Sequence, residues 1–431
     1  MSSGLHAMSL SSAVKEIAIG ALTARALAEA QLERIAATDA DIQAWAHLDA
    51  AYVRRMADRC DAAAGGSLRG SGVGVKDIIA TADLPTAMGS PVYDGNRPAD
   101  SAECVKRLQN AGGYVFGKTV TTAFAFLDPG KTRNPWNPAH TPGGSSSGSA
   151  AAVAAGHVAG AIGTQTNGSV IRPAAFCGVI GFKPTKDAIP LDGVNVFSQT
   201  LDQIGVFTRS VSDAARLANA LADGAFVSPS VAALPAPPRL AYLGDYPWTM
   251  LDCDADDTLE AAATRLRQFG ATVIGVEFPS RWREAHRVLR TIMLYEGAQN
   301  LGSLQGRERA RLGPKLNAAL DEGRAIPRAD YSRALEQRTD VIAAFTEWLE
   351  DFDAVVSPAA PGTAPAGLAS TGDPSCCTLW SLTGFPALTI PAGLCEGLPV
   401  GMQIACPAGA DDRLLTVAAW CESKLSFRGL L

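Results

Sequence analysis

Along the first part of the chain, apolar positions with helical spacing alternate with short continuous apolar runs. Apolar residues recur every three or four positions in residues 23–37 and in residues 50–64, which predicts two amphipathic helices. Residues 72–79 (GVGVKDII) form a β-branched run that predicts a buried strand. A helix is predicted over residues 101–110, followed by a strand at residues 114–116. This alternation of strands and helices predicts an α/β architecture.

The middle of the chain is a long, weakly charged stretch rich in glycine, serine and alanine. Residues 143–185 read GGSSSGSAAAVAAGHVAGAIGTQTNGSVIRPAAFCGVIGFKPT. Small helix-favouring residues at 150–155 predict a tightly packed helix, and the apolar run at 160–164 predicts a buried strand. Flexible residues at 166–169 then precede a helix start, where a turn can aim several backbone N–H groups at one point. Two serine-bearing turns joined by a packed core predict an active site.

The second half of the chain has a looser pattern. Residues 210–223 predict a helix with Ser210 or Ser212 as its N-cap, and the proline-rich residues 227–239 are the best candidate for a linker. The other predicted elements are a strand at 240–243, a helix at 256–269, a strand at 272–278, long polar helices to about residue 351, strands at 354–357 and 387–390, and a closing helix at 412–424. The chain of 431 residues is long enough for one large domain or two ordinary ones.

Composition and charge narrow the class of protein. The net charge is −6 and no basic cluster stands out, which argues against a nucleic-acid-binding surface. No apolar run reaches membrane-spanning length, and the first twenty residues lack the pattern of a secretory signal. Nine scattered cysteines without a CxxC pair are typical of free thiols in a reducing compartment. We therefore expect a cytoplasmic protein that binds neither nucleic acid nor membrane.

One motif match in the sequence concerns phosphate binding. Residues 112–119 (GGYVFGKT) fit GxxxxGK[ST], the phosphate-binding loop. That loop needs flexible residues whose N–H groups wrap the phosphates, whereas Tyr-Val-Phe in its middle favours a strand. We therefore predict a strand and no phosphate site.

A second motif match concerns the nucleophile elbow of α/β-hydrolases. Residues 144–148 (GSSSG) fit GxSxG with Ser146 at the centre. The elbow must follow a strand, but three prolines in residues 134–142 exclude a central strand there. His157 and His286 are the only later histidines, and His157 lies in an apolar stretch typical of a core residue with satisfied hydrogen bonds. The residues therefore favour catalysis without histidine.

The middle stretch resembles the amidase signature of serine hydrolases that use a Ser–Ser–Lys triad. The resemblance extends upstream through GVGVKDIIATADLPTAMGS (72–90), GKTVTTAFA (117–125) and TRNPWNPAHTPGG (132–144), and it is strong over residues 72–206. It implies the α/β amidase-signature fold, in which a mixed central sheet is wrapped by helices in a single large domain. The expected regions are an N-terminal helical packing region at 1–66, a catalytic core at 67–226, a proline-rich connection at 227–238, and residues 239–431, which complete the same domain and pocket.

The resemblance implies a catalytic triad. Ser169 matches the nucleophile, Lys76 the base, and Ser145 the serine that relays a proton between them. In the family the peptide bond before the relaying serine is cis, which here is Gly144–Ser145. A lysine can take a serine proton only if burial lowers its pKa. On the residues alone, Lys76 paired with Asp77 at a strand end remains the alternative.

The resemblance also implies an oxyanion hole. Its donors are the backbone N–H groups of Thr166, Asn167, Gly168 and Ser169, and Ser146 is a supporting hydrogen-bonding residue. Asn167 departs from the family pattern, because many members have glycine at this position. Asparagine tolerates left-handed backbone, so the expected consequence is a narrower pocket rather than loss of activity.

Two further positions bear on the substrate. The sequence Ser-Val-Ile-Arg-Pro around Arg172 resembles the malonamidase-like branch of the family, in which the matching arginine binds a substrate carboxylate. The alternative is a structural arginine paired with a nearby acid. Residues 370–381 (STGDPSCCTLWS) also resemble that branch, and Trp380 is expected to line the pocket.

The resemblance implies an amidase that acts on linear amides. We expect it to cleave a C–N acyl bond of a small-molecule amide through an acyl-enzyme on Ser169, with no cofactor and no metal. The same residues can attack carbamates or ureas. A rival is the amidase subunit of a tRNA-dependent amidotransferase, and a third interpretation, a silent binding protein, is disfavoured by the intact triad. A homodimer is an open alternative.

Overall fold

One mixed β-sheet of eleven strands runs through the computed structural model, which describes residues 4–63, 65–224, 234 and 236–431. The strands are β1 (Trp45–His47), β2 (Gly72–Lys76), β3 (Tyr114–Thr119), β4 (Gly160–Gln165), β5 (Ile180–Lys183), β6 (Gln203–Thr208), β7 (Arg239–Tyr242), β8 (Thr272–Gly275), β9 (Ala354–Pro358), β10 (Ala387–Cys395) and β11 (Leu398–Ala405). The helices are α1 (Leu10–Ala18), α2 (Ala24–Ile42), α3 (Ala50–Ala62), α4 (Glu103–Asn110), α5 (Ser147–Ala154), α6 (Ile171–Cys177), α7 (Val211–Leu221), α8 (Cys253–Gln268), α9 (Ala285–Glu308), α10 (Pro314–Ala325), α11 (Arg328–Trp348), α12 (Thr378–Thr383) and α13 (Asp411–Leu425).

The sheet places elements from distant parts of the chain side by side. Its order is β1-β3-β2-β4-β6-β5-β10-β11-β9-β7-β8. Strand β2 lies between β3 and β4 and is parallel to both, whereas β4–β6, β5–β6, β10–β5 and β10–β11 are antiparallel pairs. Every residue of β2, β3, β4 and β6 is buried, so both faces of the sheet are covered there.

The apolar core lies on both faces of this sheet. Residues of α4, α7, α8 and α13 form one large cluster with the central strands, and residues of α1, α2, α3 and α5 form a second. A third cluster, rich in aromatic rings, joins α9, α11 and α12 to β9. Since β7, β8 and β9 belong to the same sheet as β2, the predicted single α/β domain is confirmed.

The predicted elements agree with the structure where the local pattern was strong. The helices predicted at 23–37 and 50–64 are confirmed as α2 and α3, and the strand at 114–116 is confirmed as part of β3. Ser210 is the N-cap of α7, since its side chain accepts a hydrogen bond from Asp213 N. Strands β1, β5, β6 and β11 were not predicted. Most of the proline-rich connection predicted at 227–238 lies outside the described residues.

The cysteines and the helices can be compared with the expectations from composition. All nine cysteines are free, and Cys376 and Cys377 are both buried. The Cys377 thiol donates a hydrogen bond to Ala359 O at 3.3 Å. Within the described ranges, no helix has the length and apolar composition needed to cross a bilayer.

Close packing fixes the position of α5. All eight of its residues are buried, and Gly148 N donates a hydrogen bond to Val120 O at 2.9 Å. A Cβ atom at Gly148 would lie 2.2 Å from Ala44 O and 2.3 Å from Val120 N. Because those atoms belong to the backbone, they cannot move aside as a side chain can. Because Gly148 has no side chain, the start of α5, directly after Ser145 and Ser146, can pack against the backbone of Ala44 and Val120.

We expect Gly148→Ala to destabilise the protein strongly, by about 3 kcal/mol, because overpacking against backbone cannot relax. The matched control is Gly306→Ala on α9, where a Cβ meets nothing within 4 Å. That substitution should be neutral or stabilising by up to about 1 kcal/mol through helix propensity. Urea midpoints of both variants measure the difference. Equal midpoints would contradict this account of the α5 contact.

Candidate active site

Lys76 is the last residue of β2 and is completely buried. Its Nζ donates hydrogen bonds to Ser145 Oγ at 2.6 Å and to Thr164 Oγ1 at 2.8 Å. Burial removes water from the ammonium form and so lowers the pKa of Lys76 well below its ordinary value. The structure therefore holds an amine that favours the uncharged form in direct contact with a serine hydroxyl.

The alternative pairing of Lys76 with Asp77 is not found. The Asp77 carboxylate instead lies 3.5 Å from Lys118 Nζ, which also donates hydrogen bonds to Ile79 O and Thr86 Oγ1, both at 2.7 Å. Lys118 belongs to β3, in the segment that matches the phosphate-binding motif. Its ammonium is bound by groups within the fold. The strand that was predicted in place of a phosphate-binding loop is confirmed.

The loop that carries Ser145 is held at three points. The Gly144–Ser145 peptide bond is cis, as predicted. Thr122 N donates to Ser145 O at 3.2 Å, and Arg172 Nη2 donates to Gly144 O at 2.7 Å. Ser146 Oγ donates to Thr164 O at 3.2 Å and accepts from Thr164 N at 3.3 Å. The hydroxyl of Ser146 is therefore bound to β4, and no strand precedes this serine as an elbow would require.

Ser169 lies in a turn that follows β4 directly. Gln165 Oε1 closes this turn by accepting hydrogen bonds from Val170 N at 2.8 Å and Ile171 N at 3.0 Å. Gly168 has φ +77°, a conformation that favours glycine, and a Cβ there would lie 2.9 Å from Pro374. In the described part of the chain, the Ser169 hydroxyl makes no hydrogen bond, including none to Ser145. The serine that lines the cavity is therefore free to meet a ligand.

A cavity of about 340 Å³ opens beside this turn. The rings of Phe126 and Phe197 are stacked with centroids 4.9 Å apart and both line it, while α9 contributes another wall. Its charged lining residues are the cations Arg172, Arg290 and Lys315 and the single acid Asp373. The cavity thus combines an apolar wall with an excess of positive charge.

Arg172 is buried at the base of the cavity without an ion pair among the described residues. Its Nη2 donates to Gly144 O and, at 3.2 Å, to Thr371 Oγ1, whereas Nε and Nη1 have no hydrogen-bond partner. Burial lowers its pKa to about 10, so the guanidinium is still charged at neutral pH. The expected alternative, an arginine neutralised by a neighbouring acid, does not describe this geometry.

Trp380 and Asn167 occupy different surroundings. Trp380 is fully buried on α12 and packs edge to face against Phe345, with ring centroids 5.0 Å apart, so it does not line the cavity. The reason is that α12 turns this face toward the aromatic cluster of α9 and α11. The cavity is instead lined by residues 370–374 of the same predicted segment. Asn167 does line the cavity, and its Oδ1 has no hydrogen-bond partner.

Two residues that contact the proposed catalytic groups were not predicted from the sequence. Thr164 binds Lys76 from β4, and Asp202 accepts a hydrogen bond from Thr166. The available signal for a buried carboxylate was an acid directly after Leu201 and two residues before the apolar run that begins at Ile204. His157 has the satisfied core environment that was predicted, with Trp45 Nε1 donating to its Nδ1 at 3.2 Å.

Comparisons with known proteins agree with this fold. The model of the Amidase family matches residues 26–415. The chain is 32% identical to a glutamyl-tRNA(Gln) amidotransferase subunit of Roseiflexus castenholzii, over 96% of this chain and 95% of that one. It is 34% identical to the subunit of the same name from Symbiobacterium thermophilum, over 94% of both chains.

Solved structures show the same relationship. A crystal structure of an amidase superimposes with a TM-score of 0.88 at 29% identity, covering 97% of this chain and 100% of that one. The native peptide amidase of Stenotrophomonas maltophilia superimposes with a TM-score of 0.83 at 29% identity, covering 98% of both. The family match extends over most of the chain and includes every residue of the Lys76, Ser145 and Ser169 arrangement. The chain therefore belongs to the amidase family and is a hydrolase of the amidase-signature type.

Proposed function

We propose that this protein is an amidohydrolase that cleaves a C–N acyl bond of a small carboxylate-bearing molecule through an acyl-enzyme on Ser169. The observation that carries the proposal is the 2.6 Å hydrogen bond between Lys76 Nζ and Ser145 Oγ, buried beside the cavity that Ser169 lines. A serine hydroxyl attacks a carbonyl only when a base removes its proton. The proposed base is the desolvated amine that contacts a serine, whereas His286, which also lines the cavity, is hydrogen-bonded to Thr378 Oγ1 at 3.3 Å.

The proposed reaction begins when Ser169 Oγ attacks the substrate carbonyl carbon and its proton passes through the Ser145 hydroxyl to Lys76. The backbone N–H groups of residues 166–169 stabilise the tetrahedral oxyanion. The proton then returns through Ser145 to the leaving nitrogen, the C–N bond breaks, and an amine or ammonia departs. Water attacks the acyl-enzyme by the same route and releases the acid. The relay requires the hydroxyls of Ser145 and Ser169 to approach in the substrate complex, as catalytic hydrogen bonds commonly do.

The proposed substrate carries a carboxylate, as in the malonamidase-like branch that the Arg172 motif resembles. Arg172 supports this because Nε and Nη1 lack partners, and a buried guanidinium with unused donors is costly unless an anion meets it. Lys315 and Arg290 give the cavity a positive field, although Arg290 is already paired with Glu322 at 2.5 Å. The side chain of Asn167 reduces the space beside Ser169 and favours small acyl groups.

A second candidate is the amidase subunit of a tRNA-dependent amidotransferase. The names of the relatives at 32–34% identity favour it, and it would give the chain a protein partner and a tRNA-linked role, contrary to our expectation of no nucleic acid. A carbamate or urea hydrolase would use the same residues as the amidase. The two main candidates differ in one measurable property: the purified chain alone should turn over small acidic amides, whereas an amidotransferase component should need its partner for efficient turnover.

We expect a fluorophosphonate probe to label the protein at Ser169, because this serine is the only proposed nucleophile. Peptide mass spectrometry locates the adduct, and Ser169→Ala should abolish both labelling and amide hydrolysis while circular dichroism stays unchanged. Ser146→Ala is the matched control, since Ser146 is bound to β4, and it should retain labelling. An adduct on Ser146 would contradict the assignment.

We expect Lys76→Met to lower turnover by roughly 10²–10⁴-fold, the usual contribution of a general base. In the wild type, activity should rise with pH through an ionisation far below the ordinary lysine value of about 10.4, because only the uncharged amine accepts a proton. The rate is therefore lost as pH falls through the lowered pKa of Lys76. The measurement is kcat/KM against pH for both proteins. A pH profile that survives the substitution would remove Lys76 from the mechanism.

We expect Arg172→Lys to weaken hydrolysis of an acidic amide by about 2 kcal/mol, or roughly thirtyfold in kcat/KM, because lysine lacks the planar fork. A neutral amide of similar size should be affected much less. The control is Arg290→Lys at the same cavity, which keeps the ion pair with Glu322 and should preserve the ratio of acidic to neutral amide. Equal loss for both amides in Arg172→Lys would mean that Arg172 acts only through Gly144 and Thr371.

A further inference from the structure

Asp202 is a buried carboxylate directly before β6 that touches the turn carrying Ser169. Its Oδ1 accepts a hydrogen bond from Thr166 Oγ1 at 2.6 Å, and its Oδ2 accepts one from Phe197 N at 2.7 Å. The first contact reaches residue 166 of the proposed oxyanion turn, and the second reaches a residue that lines the cavity. One carboxylate therefore joins the oxyanion turn to the cavity wall.

The loop that carries Asp202 is itself held from the opposite side by α9. Glu296, which is buried on that helix, accepts hydrogen bonds from Ser198 Oγ at 2.5 Å and Thr200 N at 3.0 Å. Tyr331 OH donates to the other oxygen of Glu296 at 2.7 Å. These contacts hold residues 198–200 against α9, so the Asp202 carboxylate two residues later has a defined position relative to Thr166.

The charge of Asp202 also acts on Lys76. Desolvation lowers the pKa of Lys76, and the carboxylate of Asp202 opposes that effect by favouring the ammonium form. Burial raises the pKa of Asp202 to about 6, so it is charged at neutral pH and above. The two groups share no direct hydrogen bond among the described residues, because Lys76 Nζ is bound to hydroxyls and Asp202 to Thr166 and Phe197.

The other buried charges on the neighbouring elements interact with groups other than Lys76. Asp77, directly after β2, lies beside Lys118 of β3. On β5, Lys183 interacts with Asp411 of α13. Arg172 on α6 is influenced by Asp373 rather than by Asp202. Asp202 is therefore the carboxylate of the described chain whose field reaches Lys76.

We propose that Asp202 is a positioning residue for the hydrolysis proposed above. Its carboxylate holds Thr166 at the first position of the oxyanion turn and stabilises the ammonium that forms on Lys76 when that amine takes the serine proton. A fixed charge aimed at a developing charge in a desolvated site lowers the barrier without reorganisation. The inference rests on the proposed function, since it assigns Asp202 to the chemistry of Lys76 and Ser169.

The test measures the rate constant for fluorophosphonate labelling between pH 5 and pH 9, which requires no knowledge of the natural substrate. In Asp202→Asn the ammonium of Lys76 loses its stabilising charge, so the pKa of Lys76 falls. The acidic limb is the part of the profile in which the labelling rate rises with pH. It should shift to lower pH by about one unit, and the plateau rate should fall about tenfold or more. Asp77→Asn is the matched control, because it removes a buried carboxylate that faces Lys118, and it should leave the limb in place.

Variants of Thr166 test the positioning half of the proposal. Thr166→Val removes the hydroxyl that binds Asp202 but leaves the carboxylate charge, so labelling should slow without movement of the acidic limb. Thr166→Ser keeps the hydroxyl and should recover most of the lost rate. Circular dichroism shows whether Asp202→Asn folds. If it does not fold, the two Thr166 variants test the proposal instead. A Thr166→Val variant that is labelled at the wild-type rate would overturn the proposal.

The outcomes separate this inference from the proposed function. If Lys76→Met removes the acidic limb but folded Asp202→Asn leaves it unchanged, Asp202 is only structural and the inference fails alone. If Lys76→Met keeps the wild-type limb, the proposed role of Lys76 fails, whatever the Asp202 variants do. A limb that moves equally in Asp202→Asn and Asp77→Asn would also overturn the inference, because the effect would then be general to buried charge.

Discussion

Desolvation of the Lys76 amine is the constraint on which the rest of the site depends. In water a lysine is protonated and cannot take a serine proton, so the fold must keep water away from Nζ and still supply hydrogen-bond partners. Strand β2 does this because it lies between two parallel neighbours in a sheet covered on both faces. The partners are hydroxyls of Ser145 and Thr164, which accept a hydrogen bond without adding a charge.

Small residues allow the two serine-bearing turns to approach this amine. Helix α5 is made of serine, glycine, alanine and one valine, and Gly148 lies against the backbone of Val120, directly after β3. Gly163 on β4 packs closely against Ser146, because a Cβ atom at Gly163 would lie 2.6 Å from Ser146 Oγ. A larger side chain at Gly148 would push α5 away from Val120, and a larger side chain at Gly163 would push Ser146 away from β4. The weakly charged composition of the middle stretch is thus a packing requirement of the site.

Arg172 connects the parts of the site that are proposed to bind substrate and to react. It follows the Ser169 turn, donates to Gly144 O in the loop of Ser145, and reaches Thr371 in the segment that lines the cavity. Its remaining nitrogen atoms are unused within the described chain. A single guanidinium therefore organises the two loops and still offers donors to a ligand, so the structural and substrate-binding interpretations of this residue are compatible.

The sequence determined the family and most elements near the proposed site, because helical spacing in α2, the apolar run of β2 and the motif around Ser169 are local patterns. Only the tertiary structure decided which distant groups meet. It paired Asp77 with Lys118 instead of Lys76, brought Asp202 to the proposed oxyanion turn, and directed Trp380 into an aromatic cluster away from the cavity. The physical reason is that such contacts depend on strand order and helix direction, which are set by packing between segments far apart in the chain and leave no periodic signal within any one of them.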